Sequence, residues 1–98
     1  MKNNKLELLV LTDHSTHGRG ESIYPLLRTM KEDPVCHSIS VASRSNPINE
    51  SFFEARSTYF NATSVDSSFE YSESGYFFIE AQQKKCDLSD FDAIFLRI

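Results

Sequence analysis

The chain has 98 residues, with ten Lys and Arg against fourteen Asp and Glu, giving a formal net charge of −4. That length is one domain, residues 1–98, able to bury roughly 60–70% of its unfolded surface, and its 40% hydrophobic content, with eight Phe and four Tyr, excludes a disordered or fibrous chain. No basic cluster is present to track a phosphate backbone, which sets nucleic acid aside, and no apolar run suffices for a membrane span or a secretory leader, so the expected location is cytoplasmic, without membrane contact.

Leu6 to Thr12 is almost continuously apolar and is followed at once by polar turn formers, which predicts a buried strand. Residues 13–20, DHSTHGRG, form the loop at its carboxyl end. Ile23, Leu26, Leu27 and Met30 recur at i, i+3, i+4 and i+7 and so share one face of a helix. It starts near Glu21 and Ser22, holds Pro25 in its first turn, and ends at Asp33-Pro34. Residues 35–42, where Ile39 and Val41 alternate with Ser38 and Ser40, predict a second strand, and strand, helix and strand together predict a right-handed parallel unit.

Asn46-Pro47 reads as a cap and first residue of a short helix over INESFFEAR that buries Ile48, Phe52 and Phe53. Residues 58–63 suit a short strand, and residues 69–71 and 76–79, with Gly75 available for positive φ between them, suit a β-hairpin. Residues 81–86 read as a polar connector. Ala93, Ile94, Phe95 and Leu96 form an unbroken apolar run, expected to be a strand buried on both faces of a parallel sheet, with Arg97 at its carboxyl end. The expected core is Leu8, Val10, Leu26, Leu27, Met30, Ile39, Val41, Ile94 and Leu96. Cys36 and Cys86 have no CxxC spacing and read as buried, reduced thiols.

The chemistry-bearing residues gather in DHSTHGRGES, which joins the first strand to the amino end of the first helix, a junction where doubly wound folds present N–H groups to an anion. Asp13 could orient an amine or hydroxyl, Ser15 and Ser22 could donate to a carboxylate, Arg19 could pair with one, and Thr16 lies among them. Each has a plainer role: Ser22 as a helix cap, Asp13 as a turn former, Arg19 as a solvated cation. Arg97 is a planar, permanently charged fork placed where ligands sit in open α/β sheets, and its plainer role is a surface cation beside Asp90 or Asp92. Gly18 and Gly20 complete neither phosphate-binding glycine pattern. His14 and His17 lack a third ligand for a metal and read as polar or capping residues, and adjacent Asp13, His14 and Ser15 cannot point at one another as a triad. Cys36 beside His37 shows no sign of an activated thiol, and Glu70, Glu73 and Glu80 read as the wet face of the hairpin.

The segment DLSDFDAIFLR, with the opening LELLVLTDHS and the helix ESIYPLLRTM, resembles the N-terminal domain of prokaryotic glutathione synthetase and related ATP-grasp ligases. Residues 43–68 depart from that pattern. The resemblance implies an α/β fold, a small open mostly parallel sheet (Rossmann-like, pre-ATP-grasp type) with few helices and a β-hairpin. It implies a substrate-side and assembly domain, apparently truncated from a longer protein and not catalytic alone, whose partners are its own C-terminal ATP-grasp region and a small-molecule acid or amine. ATP and Mg²⁺ are implied for the full-length ligase and no cofactor for this part; a homo-oligomer is compatible. Asp13, Ser15, Arg19, Ser22 and Arg97 would be the substrate-binding residues, with no catalytic or metal residue. A self-contained Rossmann-like small-anion binding or interaction module, and the N-terminal half of a glycosyltransferase, stand as alternatives.

Overall fold

The computed structural model describes residues 6–97. The apolar run forms strand β1 (Leu6–Thr12), whose side chains alternate between faces: Leu8 and Val10 point into one core, Leu9 and Leu11 into the other. Helix α1 (Ile23–Lys31) follows and buries Ile23, Tyr24 and Leu27 on the Leu8–Val10 face. Strand β2 (Cys36–Ser43) then lies parallel to β1, with Ile39 beside Leu8 and Ser43 beside Thr12.

Asn46 accepts a hydrogen bond from the Ile48 N–H at 3.2 Å and caps a 3-10 turn (Pro47–Asn49) that runs into α2 (Glu50–Phe53), so the Asn-Pro cap forms as its residues predict. Phe52 and Phe53 pack on the second face with Phe60, Ala62 and Cys86. Strand β3 (Tyr59–Ser64) pairs antiparallel with β2, β4 (Lys84–Asp87) pairs antiparallel with β3, and β5 (Ala93–Arg97) lies parallel to β1. Buried Asn49 ties the turn to this sheet: its amide donates to the Ser43 and Asn61 carbonyls at 3.1 and 3.0 Å and accepts from the Asn61 N–H at 2.7 Å.

The five strands run in the order β4-β3-β2-β1-β5, with two parallel and two antiparallel pairs. The sheet is therefore mixed, and the expected mostly parallel, Rossmann-like sheet is incorrect. Only β2, β1 and β5 are parallel among the described strands, with α1 on the crossover from β1 to β2. The expected hairpin at residues 69–79 is also absent. Gly75 adopts φ 70° and starts the short helix α3 (Tyr76–Ile79). Residues 65–79 instead cross over the first face, where Phe69 and Phe78 fill the space that α1 alone leaves uncovered, and Arg28 of α1 donates to the Phe69 carbonyl at 2.5 Å. The antiparallel pairing falls to β3 with β2 and with β4, and β4 overlaps the expected connector at residues 81–86.

β5 is an edge strand rather than an interior one, so Ile94 and Leu96 lie outside the core, 43% and 74% exposed. Leu26 is exposed and Met30 only partly buried, because α1 turns Tyr24 instead of Leu26 toward the sheet. Ile48 faces solvent. Cys86 is buried, Cys36 half-buried, and both are free thiols. No helix among the described residues is long and apolar enough to cross a membrane.

Candidate functional site

Three parallel strands end at one rim, and their register sets Ser43, Thr12 and Arg97 side by side at the carboxyl ends of β2, β1 and β5. Thr12 and Ser43 are buried polar groups, so their hydroxyls need partners inside the protein. The partners come from the β1–α1 loop, and this is what shapes the site.

Asp13 caps a 3-10 turn (His14–Thr16). One carboxylate oxygen accepts from the Ser15 N–H at 3.1 Å, from the Ser15 hydroxyl at 2.7 Å and from the Ser45 hydroxyl, which hold its pKa below the ordinary carboxylate value, the Ser45 bond foremost. Ser43 Oγ accepts from the His14 and Ser45 N–H groups at 2.9 and 3.2 Å and lies 2.5 Å from His14 Nδ1. His17 bridges Tyr24 Oη, 2.6 Å from Nδ1, and Thr12 Oγ1, 2.9 Å from Nε2, while Thr12 donates to the Arg97 carbonyl at 3.0 Å. Beneath the loop the His14 ring stacks on Phe78 at 5.0 Å, and His17 meets Phe78 and Tyr24 edge to face. Burial lowers both histidine pKa values, and burial raises the Tyr24 phenol to about 12.

Of the residues expected to hold substrate, the structure divides five among three places. Asp13 and Ser15 bond to each other on the β2 side. Arg97 reaches the amino end of α1, where one guanidinium nitrogen donates to Ser22 Oγ at 2.9 Å and lies 3.7 Å from Glu21. Arg19 stands apart, 3.9 Å from Glu73 and over the Tyr71 ring at 5.9 Å, both charges fully in water. Ser22 occupies the cap position of α1 without a side-chain cap bond, so its expected alternative role is not the one it plays. Asp90 and Asp92 are held locally instead of beside Arg97, each accepting a backbone N–H, from Asp87 and Glu7 respectively.

An open cleft of about 480 Å³ separates the loop from residues 71–74 and is lined by His14, Ser15, His17, Tyr71, Ser72, Glu73 and Ser74. Among the described residues no group of three or more His, Cys, Asp or Glu could hold a metal ion. Gly18 and Gly20 have open space where a Cβ would stand, so no protein group crowds either of them.

The sequence analysis does not single out Thr12, Ser43, Ser45 or Tyr24, and its polar reading of His14 and His17 names no partners for them. One signal was available. Each parallel strand ends its apolar run in a hydroxyl or charged residue, and parallel neighbours bring such residues to one rim. No family model, curated protein or solved structure matches this chain.

Proposed function

We propose that this chain is the substrate-side domain of an ATP-dependent carboxylate–amine ligase of the glutathione synthetase type, cytoplasmic and not catalytic alone. It holds the acid or amine substrate at the rim where β1, β2 and β5 end. The supporting observation is Arg97, which ends β5 beside Thr12 and turns its guanidinium to Ser22 at the amino end of α1. A carboxylate there would take the bidentate fork, with Ser22 as a further donor. Ser15 and Asp13 lie across the rim to orient the other end of the substrate. ATP and Mg²⁺ belong, in this reading, to a C-terminal ATP-grasp region.

Steady-state kinetics of the full-length ligase test the reading. Arg97→Ala raises KM for the acid or amine about tenfold or more while KM for ATP stays nearly constant, since only one ligand loses a charged hydrogen bond. Arg97→Lys recovers little, because an ammonium lacks the planar fork. Parent-like behaviour of both variants with every substrate removes Arg97 from the site. The cleft beside DHSTHGRG supports a second reading, a self-contained small-anion binding module, which requires anion binding that Arg97→Ala leaves unchanged.

A further inference from the structure

The hydrogen atoms around the two histidines can be placed by counting donors. Ser43 Oγ receives two backbone N–H groups, which occupy both lone pairs, so its one hydrogen points at His14 Nδ1. His14 is then neutral, with its own hydrogen on Nε2. The Thr12 hydroxyl gives its hydrogen to the Arg97 carbonyl, so the bond to His17 must run from Nε2–H to Thr12 Oγ1. His17 Nδ1 accepts from the Tyr24 hydroxyl. One directed chain results: Tyr24 to His17 to Thr12 to the Arg97 carbonyl.

A proton added to either ring lands on Nδ1, where a hydroxyl hydrogen already points. Ser43 cannot turn to accept it, because two N–H groups hold its lone pairs. Tyr24 could accept it only by turning its own hydrogen away from His17, in a side chain that is 4% exposed. The surroundings are tight as well: a Cβ on Gly75 would come within 2.7 Å of His14 Cδ2, so the ring is wedged between that glycine and Phe78.

We propose that His14 and His17 form a proton-operated latch: with both rings neutral they hold the β1–α1 loop down on β2, Tyr24 and Phe78, and protonation releases it. The charged groups facing them are Asp13 beside His14, and Glu21, Asp13 and Arg97 around His17, with each histidine near the other. Glu73, ion-paired to Arg19, and Tyr71 complete the opposite wall of the cleft. Asp13 and Glu21 favour the charged rings, Arg97 opposes, and burial outweighs them all in the same direction as Arg97. Folded-state values below the ordinary 6.5 mean that the unfolded or released chain takes up protons first. The latch is therefore fully closed above pH 6.5, weakens as pH falls below it, and stops changing once the pH is below the folded values. Because the chain of bonds ends on Arg97, release also loosens the rim; only that consequence for substrate rests on the function proposed above.

Long-range ¹H–¹⁵N correlation spectra of the histidine rings, recorded on the 98-residue chain from about pH 8 to about pH 4.5, test the latch, with His37→Gln assigning the third ring. Both His14 and His17 should show the Nε2–H tautomer and titrate below 6.5. Amide exchange of residues 13–22, corrected for its intrinsic pH dependence, should accelerate in step while β1 stays protected. Tyr24→Phe should raise the His17 value toward 6.5, because the hydroxyl hydrogen that fills Nδ1 is gone, while Thr12 keeps the Nε2–H tautomer and His14 is unmoved. An Nδ1–H tautomer on either ring of the parent chain, titration at or above 6.5, or loop exchange indifferent to the titration overturns the proposal, whether or not Tyr24→Phe folds.

Discussion

β1 and β5 lie side by side in the same direction, Leu9 next to Ile94 and Leu11 next to Leu96, and each reads in isolation as an interior strand. Leu9 is 0% exposed whereas Leu96 is 74% exposed. The difference lies in their neighbours. β1 has β2 on its other side and packing on both faces, while β5 has a partner along one edge alone. An apolar run records what a strand can tolerate, and burial is decided by what the rest of the chain places around it. The opposite edge makes the same point in reverse: β4 is short and carries Lys84 and Lys85, a composition that discourages edge pairing, and its polarity hid it among connectors.

The comparison breaks most readily at the Leu9–Ile94 pair, which shares one face of the sheet. Leu9→Ala should cost about 2–5 kcal/mol, the range for emptying a closed core site, while Ile94→Ala should cost less than about 1 kcal/mol because water already reaches that side chain. Urea midpoints of the two variants measure the contrast, and equal losses would show that β5 is covered as β1 is. A smaller effect sharpens it at the strand ends, where Asp13 after β1 is held by Ser45 and Ser15 but Arg97 on β5 by Ser22 and a more distant Glu21. Asp13 has its pKa lowered from 3.8 in the fold, so its contribution is present above that value and is lost as pH falls through the folded one. Asp13→Asn should flatten the acid limb of the stability curve below pH 3.8, and Arg97→Ala should leave that limb alone. Identical acid limbs in parent and Asp13→Asn would contradict this.

Local patterns made part of the fold legible. β1, α1, β2, β3 and the Asn46-Pro47 cap each follow from period, capping or a terminating proline acting over a few residues. What stayed hidden depends on long-range choices. Gly75 serves a hairpin turn or a helix start equally well, and the helix that it starts sets Phe78 against His14 and Phe69, contacts distant in sequence. The direction in which β3 and β4 pair has no signature in their short, polar sequences. At the site, the loop residues were visible because polar residues and glycines follow an apolar strand, but the bond chain through Thr12, His17 and Tyr24 exists only once β5 lies beside β1.

The central claim is that the rim ending β1, β2 and β5 receives a small acid. Chemical-shift mapping of the ¹⁵N-labelled chain with γ-glutamylcysteine and with glycine, the acid and the amine that glutathione synthetase joins, tests it most directly. The account predicts that the dipeptide shifts the amides of Arg97, Ser22 and the loop from Asp13 to Ser22, leaves β3 and β4 unmoved, and loses its effect in Arg97→Ala. Shifts gathered elsewhere, a response unchanged in the variant, or none at millimolar ligand would contradict it.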